Sequence, residues 1–172
     1  MLLEAGADVN VPTRYQKTAL HIAAECSTAD VVAALLKAGA HVNPEDNHKK
    51  TPLHKACSRF DYDAGPALLL IRNGADVNAI CGTGFPYTPL DFAIGARFHR
   101  RLVPILLRAG AALPAETDDA YIRKVIAAGS FQNYERAHLN AIVASFAPKF
   151  SHLLPPELVR RVVEYAFHVG DY

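Results

Sequence analysis

The sequence predicts an all-α solenoid of stacked helix-turn-helix units, joined by β-hairpin-type loops and followed by a helical C-terminal cap. Three observations carry this. A four-residue phrase recurs as Thr18-Ala19-Leu20-His21, Thr51-Pro52-Leu53-His54 and Thr88-Pro89-Leu90-Asp91. A second phrase closes each unit as Gly39-Ala40-His41-Val42-Asn43, Gly74-Ala75-Asp76-Val77-Asn78 and Gly110-Ala111-Ala112-Leu113, with Gly6-Ala7-Asp8-Val9-Asn10 as an earlier copy. The threonines lie 33 and then 37 residues apart, a period at which a supersecondary unit buries its apolar face only by stacking on a neighbour.

The units follow in order. Met1-Leu2-Leu3-Glu4-Ala5-Gly6 has the same apolar-apolar-x-x-Gly ending as Leu35 to Gly39, Leu70 to Gly74 and Leu106 to Gly110. Each Gly falls where a helix ends in a left-handed residue, a conformation cheap for Gly alone. The chain thus starts mid-helix, which implies a longer array or another element covering Leu2, Leu3 and Val9. In the unit from Thr18, the threonine is placed to cap a helix through Leu20, Ile22, Ala23 and Ala24. Asp30 then starts a second helix with Val31, Val32, Leu35 and Leu36 on its apolar stripe. In the next unit Pro52 suits a first helical position, and Pro66 opens the second helix. The loop between its helices is longer, since Thr18 to Gly39 spans 21 positions and Thr51 to Gly74 spans 23. The third full unit has a longer finger: Gly39 to Thr51 is 12 and Gly74 to Thr88 is 14, the extra length lying in Cys81 to Tyr87. Asp91 stands where the other units have His, and Pro104 is tolerable only in a first helical turn.

After Leu113 the repeat stops. Thr117 or Asp118 could cap a helix over 120–128 ended by Gly129. A second helix is expected over about 134–146, with Leu139, Ile142, Val143 and Phe146 at helical spacing and Pro148 as its stop. A third opens at Pro155-Pro156, carries Leu158, Val159, Val162, Val163 and Tyr165 to Phe167, and ends at Gly170. The expected division is repeats over 1–113 (partial unit 1–17, full units of about 18–50, 51–87 and 88–116), then a cap over 117–172 that covers the last repeat.

The totals bound the class. A chain of 172 residues, half of them hydrophobic, builds a short array with a core and not a multi-domain enzyme. Eighteen Lys and Arg balance 17 Asp and Glu, so no general field draws nucleic acid or an acidic membrane. Cys26, Cys57 and Cys81 are odd in number and differ in place between units, which suits a reducing compartment, the cytoplasm or nucleus. Acidic Glu4 and Asp8 interrupt the apolar start, so no signal peptide is expected, and the apolar runs are too short to span a bilayer.

These phrases resemble the ankyrin repeat over residues 1–113. The resemblance implies a non-enzymatic chain without cofactor or metal, binding another protein through one face made of hairpin fingers and first helices. Carried over by position, that face holds Arg14, Tyr15 and Lys17 in the first finger, with Glu25 and Cys26 on the helix behind it. The second finger and helix give Asn47, His48, Lys50, Ser58 and Arg59. The third gives Phe85, Tyr87, Gly95 and Ala96. Tyr15, Phe85 and Tyr87 are aromatics that the core does not require, the kind of residue that anchors an interface. They either face solvent or fold against a neighbouring turn. Lys17, Lys49, Lys50, Lys55 and Arg59 form a basic stripe suited to an acidic or mixed protein surface, while Glu45, Asp46, Asp61 and Asp63 among them would repel phosphate. The hairpin Asn, here Asn10, Asn43 and Asn78, is hydroxylated in some proteins of that family, and is read here as a tie for the turn.

His21 lies near Cys26 and His54 near Cys57, which raises a nucleophile-and-base reading. The histidines recur once per unit, so they are read as scaffold that binds backbone. No phosphate loop is present, since Gly82-Thr83-Gly84 lacks the third glycine and the strand-to-helix setting. Finally, Leu154 to Tyr165 resembles the first helix of an F-box. A similar truncated box ends many ankyrin proteins of poxviruses and recruits a cullin ubiquitin ligase. That implies a ligase component docking on the Leu158 helix, against the plainer reading of a Pro-led capping helix.

Overall fold

The computed structural model describes residues 8–59, 63–82, 86–95, 101–150 and 153–169. It divides into two compact units, Met1–Pro114 and Ala115–Tyr172. In the first, helices come in pairs: α1 (Ala19–Cys26) with α2 (Ala29–Lys37), α3 (Pro52–Cys57) with α4 (Gly65–Arg72), and α5 (Pro89–Gly95) with α6 (Leu102–Arg108). First helices stack in the order α1, α3, α5, and α2 packs on α4. No strand forms among the described residues, so the architecture is the expected all-α solenoid.

The stacking follows from what recurs. Leu20, Leu53 and Leu90, two places after each Thr, are completely or almost completely buried. Burying a leucine contributes about 1.5–3 kcal/mol. Ala23, Ala56 and Ala93 are buried one turn later, and a methyl there lets neighbouring first helices approach closely. Each second helix ends alike. Gly39, Gly74 and Gly110 have φ of 88°, 84° and 93°. The following amides reach back, Ala40 N to Leu35 O, Ala75 N to Leu70 O and Ala111 N to Leu106 O, at 2.9–3.0 Å. This is the Schellman closure, which satisfies carbonyls that the helix end leaves open.

Two sets of hydrogen bonds tie one unit to the next. Asn10 donates from Nδ2 to Gly39 O (3.1 Å) while its Oδ1 accepts from His41 N (2.8 Å). Asn43 does the same to Gly74 O (3.1 Å) and Asp76 N (2.9 Å), and Asn78 to Gly110 O (3.1 Å) and Ala112 N (2.8 Å). The histidines form the second set. The Thr18 amide donates to His21 Nδ1 (3.1 Å), so the ring proton sits on Nε2, which donates to Lys50 O (2.9 Å) in the next finger. His54 likewise joins Thr51 N (3.1 Å) to Tyr87 O (3.2 Å). In the third unit Asp91 keeps the first half of this device, accepting from Thr88 N (2.7 Å) and Thr88 Oγ1 (2.8 Å). A carboxylate has no proton to pass to a following finger. The relay ends where the repeat ends.

Several boundaries differ from the sequence reading. Helix α2 starts at Ala29 after Thr28, one residue before Asp30, and Val31 on its supposed apolar stripe is exposed, as is Ile22 on α1. A short helix flanked by others buries a narrower stripe than its apolar residues offer. Pro104 is the third residue of α6, within the first turn as required. The expected long loop at Phe60 to Tyr62 lies outside the described residues.

The second unit holds α7 (Ala120–Ala127), α8 (Phe131–Phe150) and α9 (Pro156–Val169). The cap of α7 is neither Thr117 nor Asp118 but Asp119, whose Oδ1 accepts from Tyr121 N and Ile122 N at 2.9 and 3.0 Å. Thr117 instead holds the Asp119 amide at 3.1 Å. Helix α8 begins at Phe131, earlier than expected, because Ser130 Oγ accepts from Asn133 N at 3.1 Å. Pro148 does not stop α8; it lies two residues from the end, where a missing donor disturbs little helix. Ile122 and Val125 of α7, Phe131 of α8 and Val159 of α9 are buried. Leu158, Val162 and Tyr165 are exposed, because α9 turns Val159 inward and these three share another face. Among the described residues no helix is long and apolar enough to cross a membrane.

The Asn ties carry a direct test. Replacing Asn43 by Ala removes both bonds to the next unit and leaves Gly74 O and the Asp76 amide to solvent. At about 0.5–1.5 kcal/mol per bond, stability should fall by roughly 1–3 kcal/mol, read as a lower urea midpoint.

Candidate interaction surface

The fingers are built from one turn used repeatedly. Thr13 N donates to Lys17 O (2.9 Å) and Gln16 N to Thr13 O (2.9 Å); Asp46 N donates to Lys50 O (3.0 Å) and Lys49 N to Asp46 O (2.8 Å). The third finger is closed by Cys81 and Tyr87, which exchange amide and carbonyl at 2.9 and 3.1 Å and so hold the longer tip between them. Backbone bonds also link neighbouring fingers, Asn47 N to Tyr15 O and Gly82 N to His48 O, both 3.1 Å. The fingers therefore stand side by side in register.

Of the sequence-derived positions, Arg14, Tyr15 and His48 are exposed, Glu25 is exposed, and Lys17, Lys50 and Ser58 are half-buried. Tyr15 is 53% accessible with the Arg14 guanidinium 4.7 Å from its ring centre. Tyr87 is 50% accessible and also meets Phe92 edge-on at 6.1 Å, so it faces solvent and leans on its neighbour at once. Lys50 places its ammonium 4.8 Å from the ring centre of Phe92 on α5. Lys17 pairs with Glu25 at 3.2 Å, an exposed bridge of little energetic weight. Phe85 and Ala96 lie outside the described residues. Val11, Ile22 and Ile80 add exposed aliphatic surface that the motif carry-over passed over; β-branched apolar residues beside a finger were the available signal.

Two residues of the basic stripe do not belong to it. Arg59 is only 6% accessible, because its Nη1 donates across to Ser27 O (2.6 Å) and Ala24 O (3.3 Å) of the preceding unit. Lys55 is 7% accessible and lies 2.9 Å from Asp46 Oδ2. Asp46 Oδ1 meanwhile accepts from His48 N and Lys50 N, both at 2.9 Å, and shapes the second finger. Burial alone would raise the Asp46 carboxyl, but Lys55 and the two amides outweigh it and hold it below the usual 3.8. Sequence alone could not separate buried cations from exposed ones, since both occupy polar positions of the same unit.

The His and Cys pairs do not form nucleophile and base. Both ring nitrogens of His21 and of His54 are bonded. Cys57 is fully buried, which pushes its thiol up to about 12, far from a thiolate at neutral pH. Cys26 is exposed and its thiol donates to Ile22 O. Among the described residues no group of His, Cys, Asp and Glu is arranged to hold a metal ion.

Paired helices, glycine closures, register-fixing side chains and projecting fingers define a helix-turn-helix repeat solenoid. The particular kind is set by comparison: residues 1–81 match the family model for ankyrin repeats (3 copies), so that part of the chain is an ankyrin-repeat array. No curated protein matches the chain.

Burial pushes both imidazoles below their usual 6.5, against the pull of the carbonyls of Lys50 and Tyr87. Below about pH 6.5 the unfolded chain takes up protons that the folded histidines refuse. Stability is thus fully present above that pH and is lost as pH falls toward the lowered folded values. Melting temperature should drop between pH 7.5 and 5.5, and less so in a His54→Gln variant. In the native protein a maleimide should label Cys26 quickly and Cys57 only at the rate of unfolding, with the two equal in denaturant.

Proposed function

We propose that this chain is a non-enzymatic protein-binding module that holds a partner across its fingers and first helices, in the cytoplasm or nucleus. The observation that carries the reading is the pair of half-exposed finger tyrosines, Tyr15 and Tyr87, on turns whose backbone groups are bonded within and between fingers and so fix their register. Arg14, Lys17, Glu25, His48, Lys50 and Ser58 are the polar part of the surface, and Phe85 joins it by its place in the sequence of the third finger. Large aromatics beside Arg in a rigid setting supply contact area at low entropic cost. Arg59 serves this surface from beneath, by tying α3's end to the preceding unit. Affinity capture with the intact chain should retain a partner that is lost with Tyr15→Ser/Tyr87→Ser; retention unchanged by both substitutions defeats the reading.

Helix α9 favours a second reading. Leu158, Val162 and Tyr165 lie at i, i+4 and i+7 on one exposed face, with Tyr165 72% accessible. That suits a substrate adaptor for a ubiquitin ligase, the repeats selecting the substrate and α9 docking a cullin complex. Pull-down with a purified cullin-adaptor protein should then succeed and be lost with Leu158→Asp. Failure to retain it, or retention by the variant, removes this reading.

A further inference from the structure

We infer that the occupant of the finger surface is an extended, acidic segment of another protein, with acidic residues recurring at about every third position. The inference rests on the reading of the fingers as a protein-binding face and adds what that face selects. Three observations lead to it.

The first is charge. On the first two fingers and the helix behind the first stand four cations, Arg14, Lys17, Lys49 and Lys50, against two accessible carboxylates, Glu25 and Glu45. Asp46, the other acid there, is buried and neutralised by Lys55. Lys17 has Glu25. Arg14, Lys49 and Lys50 have no carboxylate partner among the described residues; Arg14 and Lys50 instead lie over the rings of Tyr15 and Phe92. Each is a cation held in place by an aromatic face and left with its charge to offer.

The second is strain. Gln16 and Lys49 occupy the left-handed region, both with φ of 58°, at the tips of the first and second fingers. A glycine would sit there without penalty, whereas a side chain costs about 1–2 kcal/mol. Keeping a long polar or cationic side chain at such a place marks it as a contact point.

The third is spacing. The fingers are bonded in register through Tyr15 O and His48 O. Stacked helices lie roughly 8–10 Å apart. An extended chain in the polyproline II conformation advances about 3.1 Å per residue and returns every third side chain to the same side. A segment crossing the fingers therefore offers a side chain to each successive finger about every three residues, and carboxylates at that spacing meet Arg14 and then Lys49 and Lys50. Apolar side chains before and after these carboxylates meet Tyr15 on the first finger and Ile80 and Tyr87 on the third.

The test is selection of a random linear peptide library on the full chain, with binding of chosen peptides then measured by fluorescence anisotropy. Selected sequences should be enriched in Asp and Glu at i, i+3 spacing. Binding should weaken at least tenfold with Arg14→Glu/Lys50→Glu, or with the milder Arg14→Gln/Lys50→Gln if the reversal disturbs the melt, and should weaken with added salt. Lys49→Gly should raise the melting temperature yet weaken binding. Peptides lost with Tyr15→Ser/Tyr87→Ser but lacking acidic residues would leave the surface standing and overturn the charge inference. Peptides indifferent to both tyrosines and cations would overturn both readings. No selected peptide, or tighter binding of an oligonucleotide of similar length, would overturn the acidic-segment occupant.

Discussion

One asparagine side chain at each junction between units, bonded by its oxygen and its amide nitrogen to the backbone of the next unit, is the constraint on which the array depends. Each of these short helices is below the length at which an isolated helix persists in water. Stacking buries the leucines, but leucine packing alone is non-directional and would permit small slips between units. Asn10, Asn43 and Asn78 remove that freedom by matching a donor and an acceptor at once. The histidine relay fixes the other end of the same unit, from helix start to neighbouring finger. With both ends pinned, the fingers stand at set intervals, and a surface made of loops gains the rigidity of a framework.

Function then falls to the residues that do not recur. The position after each recurring His, or the Asp that replaces it, holds Ile22, Lys55 and Phe92 in successive units, and each behaves differently. Ile22 faces solvent, Lys55 neutralises Asp46, and Phe92 receives Tyr87 and the Lys50 ammonium. The buried pair Asp46–Lys55 and the buried Arg59 illustrate a general point about such surfaces. Charges that look available in a sequence are used internally to shape a finger or join a helix end, and those that remain are fewer and more specific.

The fold was largely legible in the sequence because its determinants are local and repeated. The Thr-x-Leu-His phrase, the closing glycines and the Asn positions all predicted roles that the structure displays. The C-terminal unit was less legible, because nothing in it repeats. A single serine, Ser130, set the start of α8 against the pull of periodicity, and Pro148 broke nothing so near the helix end. The candidate surface was legible only as a set of positions. Which members face solvent depends on contacts between units, such as Arg59 with Ser27 O or Lys55 with Asp46, and those join residues whose pairing no local pattern encodes.

The claim at the centre is that rigid, recurring framework presents non-recurring finger residues to a partner. Amide hydrogen exchange of the full chain with and without a selected peptide tests it most directly. Bound peptide should slow exchange at the fingers, 13–17, 46–50 and 79–87, and on the first helices behind them. Protection appearing instead on α2 and α4, or only on α7 to α9, would contradict the account.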